Sequence, residues 1–194
     1  MESPRVPDEP EPSSSSCRSE IAAQDPQEEP EQPDSIFDIA VSISSPAWEA
    51  VLPDAERLCV ESALAVLGEA TKPTELSIVL SSDADVRILN RDYRGKDTAT
   101  NVLSFPSGLS ADLSGTDMLG DVILAFETVS MEAARDGKSL EAHLRHLVVH
   151  GVLHLLGYDH ETEDEATEME RREVEILGGF GISDPYTPVL EPVQ

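Results

Sequence analysis

His150-Gly151-Val152-Leu153-His154-Leu155-Leu156-Gly157-Tyr158-Asp159-His160 carries three histidines at spacings that can bring their rings to one point. Four residues of α-helix advance about 6 Å and return to nearly the same face, so His150 and His154 aim two imidazoles at a single position. A third ligand further along the same axis would stand too far away. Gly157 supplies a backbone that can turn the chain back, and His160 then closes the set. Three protein ligands leave the fourth position of a zinc ion open, the arrangement of a catalytic rather than a structural site. A lone histidine on an apolar helix face is more often a packed, hydrogen-bonded core residue than a ligand. The i, i+4 pair, the glycine turn and the third histidine in register set this stretch apart, and it predicts a zincin-like helix holding one Zn2+ per chain.

His146 lies one turn before His150, but positions 146 and 154 are separated by about 12 Å of helix rise and cannot join His150 on one tetrahedral ion. His146 is left to packing, to support of a ligand or to substrate contact, and His143 is expected on the exposed surface of the helix. The spacing is shared with the metzincin proteases, whose motif is H-E-x-x-H-x-x-G-x-x-H. There the glutamate after the first histidine is the general base, and this chain has Gly151 in its place. Peptide hydrolysis by that mechanism is therefore not expected, and metal and electrostatic stabilisation would supply most of the catalysis. Asp159 and Asp121 are the carboxylates expected to receive the second N–H of a ligating ring.

Two further strings, Tyr93-Arg94-Gly95-Lys96-Asp97 and Thr100-Asn101-Val102-Leu103-Ser104-Phe105-Pro106, stand well upstream of the histidines, with Leu119-Gly120-Asp121-Val122-Ile123 between. In that order, with H-G-x-L-H-L-x-G-Y-D-H, they resemble the YbeY family of bacterial metallo-endoribonucleases over roughly residues 35 to 180. The family often has Pro where this chain has Ala99. The resemblance implies a zinc-dependent endoribonuclease acting on single-stranded RNA, in maturation of the 3′ end of small-subunit (16S) ribosomal RNA and in ribosome quality control. It also implies His150, His154 and His160 as ligands and Arg94 as the catalytic arginine. The implied partners are single-stranded RNA and the ribosome or its associated proteins, with neither DNA nor a membrane among them.

The net charge of −26 argues against a nucleic-acid partner, because phosphate binding normally relies on Lys and Arg. Residues 1–34 hold ten acids and two bases in a Pro, Ser and Glu-rich composition without aromatics, which predicts a disordered tail. The remaining chain still has 29 acids against 11 bases, or −18. Arg87, Arg91, Arg94 and Lys96 nevertheless place four of those bases within ten residues, a local basic strip. The competing interpretation is that these are solvated helix residues, with Arg94 satisfying carbonyls at a helix C-terminus. A weak affinity for free RNA, with a ribosomal partner supplying the rest, suits this charge. No signal peptide or apolar run near twenty residues is evident, so a cytoplasmic protein is expected. Cys17 and Cys59 are expected to be reduced thiols.

Periodicity predicts strands over 36–43, 75–80, 101–105 and 119–126, and helices over 47–68, from 82 to Gly95, over 127–135, 139–156 and 163–177. The Gly, Ser and Asp-rich stretch 107–117 is expected to be a mobile loop, and 181–194 a loose C-terminal tail. The acids Glu161 to Glu165 are expected to serve a helix start rather than the metal. Short strands mixed with helices indicate an α+β domain over 35–180, with a small mixed sheet of about four strands and the histidine helix packed on it. Two rival functions remain at this level: a metalloprotease whose base comes from elsewhere, and a non-catalytic zinc-stabilised ribosome-binding module.

Overall fold

The computed structural model describes residues 36–68, 72–108 and 117–187. The expected tail over 1–34, Cys17, most of the stretch 107–117 and the chain beyond 187 lie outside these residues. Strand β1 (Phe37–Ile43) leads through the short helix α1 (Ala47–Val51) and α2 (Ala55–Leu67) to β2 (Thr74–Ser81). Helix α3 (Asp83–Arg94) precedes β3 (Val102–Pro106) and β4 (Asp117–Ala125); α4 (Phe126–Arg135), α5 (Leu140–Leu155) and α6 (Glu163–Gly179) complete the described elements. The four strands form one mixed sheet in the order β1-β2-β4-β3. β1, β2 and β4 run parallel, and β3 is antiparallel to β4 at the edge. This is the α+β fold expected from the sequence.

The two faces of the sheet follow from strand alternation. Leu76, Ile78 and Leu80 of β2, with Val122 and Leu124 of β4, meet Leu58 of α2 and Leu144, Val148 and Val152 of α5 in the main core. Leu103, Ile123 and Ala125 face the other way and pack with Val86 and Leu89 of α3. Each fully buried aliphatic side chain contributes about 1.5–3 kcal/mol, so these clusters set where α3 and α5 lie on the sheet.

Two expectations are corrected here. The helix predicted over 47–68 is broken, with α1 ending at Val51 and α2 starting at Ala55. Pro53 is the cause: it has no N–H to donate and its ring drives the preceding residue out of the helical region, as Leu52 shows at φ −135°, ψ 77°. His143 is not exposed but buried, with Nε2 2.9 Å from Glu132 Oε2 of α4. Helix α5 is covered by the sheet, α2, α4 and α6 together, so a face that a surface helix would show to water is enclosed. Burial pushes the His143 pKa below its ordinary value, against the opposing pull of Glu132.

Cys59 is a free, buried thiol whose pKa is pushed up to about 12 by burial, so it is not a nucleophile at neutral pH. No helix among the described residues is long and apolar enough to cross a membrane.

Helix α5 touches the sheet most closely at Gly151. A Cβ added there would stand 2.7 Å from Val122 Cγ1 and 3.1 Å from Ser104 Oγ. Ser104 Oγ also donates to the Gly151 carbonyl at 3.1 Å. Overpacking such a contact costs about 1–3 kcal/mol, against the gain of about 1 kcal/mol that Ala has over Gly inside a helix. Gly151→Ala is expected to lower the urea midpoint; an unchanged or raised midpoint would show that α5 yields at this crossing.

Candidate metal centre

His150 and His154 stand one turn apart on α5 with their Nε2 atoms 3.1 Å from each other. Gly157, at φ +92°, turns the chain after the helix, and Tyr158 N–H bonds back to the Leu153 carbonyl at 3.1 Å. The turn returns His160, whose ring centroid lies 5.0 Å from that of His154 and 5.7 Å from that of His150. One nitrogen from each of the three rings falls within 4.8 Å of the others, so the three can hold a metal ion. His160 is exposed, and its backbone N–H donates to Asp159 Oδ1 at 2.8 Å. Thr162 and Glu165 form a reciprocal capping box at the start of α6, so this part of the acidic run serves the helix as expected.

The protonation of the rings tests the fit. His150 Nδ1 lies 2.8 Å from Glu173 Oε1, and His154 Nδ1 lies 3.0 Å from the Tyr158 carbonyl. Carboxylate and carbonyl oxygens only accept, so both Nδ1 atoms carry hydrogens. In neutral rings the two Nε2 lone pairs then face each other at hydrogen-bond distance, and a cation between them resolves the repulsion. Zinc–nitrogen bonds of about 2.0–2.1 Å place neighbouring tetrahedral nitrogens about 3.3–3.4 Å apart, close to the spacing found. Burial, reinforced by the adjacent His150, holds the His154 pKa below its ordinary value, which favours the neutral, ligating ring.

Glu173, missing from the sequence reading, supports this arrangement. It has no exposed surface and lies on α6, where Oε1 faces His150 and Oε2 is 2.9 Å from His146 Nε2. The Tyr186 hydroxyl donates to the same Oε2. Burial alone would raise the Glu173 pKa, but hydrogen bonds from His146, His150 and Tyr186 prevail and hold it at about 2. The carboxylate behind the His150 ring is therefore Glu173 and not Asp121 or Asp159. A signal was present: Met169, Glu173 and Leu177 recur at four-residue intervals and are all buried, so a carboxylate occupies the apolar stripe of α6. Of the three places left open for His146, its bond to Glu173 fits support of the carboxylate behind His150.

The described part of the C-terminal segment makes several hydrogen bonds. Besides the Tyr186 bond to Glu173, Lys138 Nζ donates to the Pro185 carbonyl at 3.2 Å and Asp184 accepts from Tyr186 N–H and Thr187 Oγ1. Of the tail expected over 181–194, residues 188–194 lie outside the described residues.

The three rings open into a cleft of about 610 Å³ between the end of α5 and edge strand β3, and Arg94 of α3 lines the same cleft. Among the basic strip, Arg87 is held by both oxygens of Asp97 at 2.8 and 2.9 Å, and Arg91 by Asp92 at 2.8 Å. Arg94 has no acidic partner among the described residues; its Nη2 donates to the Ser104 carbonyl at 3.4 Å. It does not cap its own helix, whose end is closed by the Gly95 N–H.

A family model described as Endoribonuclease YbeY matches residues 27–181. Relatives named Endoribonuclease YbeY include that of Paramagnetospirillum magneticum, 54% identical over 157 residues that span 77% of this chain and 96% of the relative. That of Azorhizobium caulinodans is 50% identical over 154 residues, with the same shares of 77% and 96%. That of Rhodospirillum rubrum is 46% identical over 169 residues, 80% of this chain and 84% of the relative.

Glu173→Gln is expected to weaken metal affinity about 10–100-fold, read by competition with a chromophoric chelator. The same variant tests the acid limb of stability in metal-free protein. With a folded pKa of about 2 below an unfolded value of about 4.3, the carboxylate adds stability that is present above the unfolded value and lost as pH falls through the folded one. Between those values wild type is expected to lose stability more steeply than Glu173→Gln; parallel curves would remove Glu173 from the acid transition.

Proposed function

The chain belongs to the YbeY family of endoribonucleases, and on that premise we propose that it is a zinc-dependent enzyme cutting single-stranded RNA. Its proposed role is maturation of the 3′ end of 16S ribosomal RNA and ribosome quality control in the cytoplasm, with RNA and the ribosome as partners. The observation that carries this reading is the joint presence, in one cleft, of three convergent imidazoles and an arginine without an acidic partner among the described residues.

His150, His154 and His160 would hold the ion, and a zinc bound there supplies Lewis acidity and lowers the pKa of its water toward 7. The protein's own groups do the rest. Glu173 keeps the proton of His150 on Nδ1 and so keeps Nε2 available. Arg94 exchanges its long contact to the Ser104 carbonyl for paired hydrogen bonds to the scissile phosphate and offsets charge that develops there. Gly151 speaks against a metzincin-like protease, because the position of the usual base lies against Val122 and has no room for a side chain.

Purified protein is expected to carry close to one zinc equivalent and to cleave single-stranded RNA, with His154→Ala losing both. Bound metal with no cleavage of naked RNA or of ribosomes would favour a binding module, and chelator-sensitive casein cleavage would favour a protease. Arg94→Ala is expected to lower kcat about 10²–10³-fold, and Arg94→Lys should not restore it because the fork geometry is lost. Near-full activity of the lysine variant would remove Arg94 from the mechanism. A 2′,3′-cyclic phosphate at the product end would assign the RNA 2′-hydroxyl as nucleophile.

A further inference from the structure

Tyr93 is 71% exposed, while Trp48 is fully buried. Its ring meets Phe105 edge to face, with centroids 5.1 Å apart and planes at 65°. Single exposed apolar residues are ordinary on protein surfaces, so the setting has to distinguish this one, and three features do. Phe105 is seated in the small core with Leu103 and Val86, which gives the exposed ring a rigid support. Phe105 lies between Ser104 and Pro106, both of which line the metal-site cleft, and Tyr93 is the direct neighbour of Arg94. The charge is local and positive: residues 87–97 hold four bases against two acids, in a chain of net −26. Both of those acids, Asp92 and Asp97, are engaged by arginines, which leaves Arg94 and Lys96 without acidic partners among the described residues.

An exposed aromatic face beside unpaired cations fits an unpaired nucleobase followed by its phosphate. Stacking needs only a π-face and tolerates every base, while the cations track the backbone. A duplex cannot use such a platform, because its bases are already stacked and paired. We propose that Tyr93, supported by Phe105, is a base-stacking subsite for single-stranded RNA on the far side of edge strand β3 from the histidines, with Arg94 bridging the two. The subsite deepens the endoribonuclease reading and rests on it. It assigns the preference for unpaired RNA to this chain's own surface rather than to the metal.

The test uses the full-length protein and an RNA oligonucleotide carrying 2-aminopurine, whose fluorescence falls when it stacks on an aromatic ring. Wild type, Tyr93→Ala and Tyr93→Phe are compared for cleavage kinetics and for quenching, the latter with metal removed so that binding is read without turnover. Tyr93→Ala is expected to raise KM and the dissociation constant about tenfold, with kcat within about twofold, and to lose the quench. Tyr93→Phe keeps the ring and is expected to rescue both. An alanine variant that binds and quenches like wild type, or a phenylalanine variant as impaired as alanine, would overturn the subsite while wild-type cleavage leaves the endoribonuclease reading standing. Wild-type protein that neither cuts nor quenches would overturn both. Melting curves of the variants identify any general loss of fold.

Discussion

Where helix α5 crosses β3 and β4 it has a glycine, and the contact there is too close for a side chain. Gly151 meets Val122 and Ser104, a cross-strand pair on β4 and β3, at distances that leave no space for a Cβ. The neighbouring positions of α5 then have little freedom. Val148 and Val152 enter the main core, Val149 and Leu153 turn to α6, and His146, His150 and His154 occupy the remaining stripe. The depth of this contact sets how far the rings of His150 and His154 stand from edge strand β3, and so shapes the cleft. The same contact explains why His150 is followed by glycine: position 151 faces the sheet, not the cleft.

Behind the histidines lies a carboxylate that water does not reach. A buried charge is tolerated when it is fully hydrogen-bonded, and Glu173 accepts from His146, His150 and Tyr186. Those donors come from α5 and from the C-terminal segment, while the acceptor belongs to α6, so one carboxylate joins three parts of the chain. Its cost in desolvation is offset only in the assembled structure. The carboxylate is also the reason why His150 presents Nε2 rather than Nδ1 to the cleft.

Electrostatics separate the cleft from the rest of the molecule. The chain is strongly acidic, yet the arginines that flank Arg94 are neutralised by Asp92 and Asp97 and Arg94 is left with a backbone carbonyl. A chain of net charge −26 repels a polyanion at long range, but screening weakens that distant field more than it weakens a contact pair, so the unneutralised Arg94 keeps its value at close range.

What the sequence determined by itself is whatever depends on near neighbours along the chain. The i, i+4 pair, the glycine turn and the capping signals at Ser82, Ser139 and Thr162 are relations within a few residues, and the strands and most helices follow from periods of 2 and 3.6. The break at Pro53 is equally local, although the apolar spacing that predicts one helix continues across it. Tertiary structure alone decided the partner of His150, since Glu173 is 23 residues away and reaches the ring only once α6 has packed on α5. It also decided the burial of His143, which depends on α4, and which cations of the basic strip, Arg94 and Lys96, stay without an acid among the described residues, which depends on where Asp92 and Asp97 point. Spacing fixes which side chains share a face; only packing fixes what that face meets.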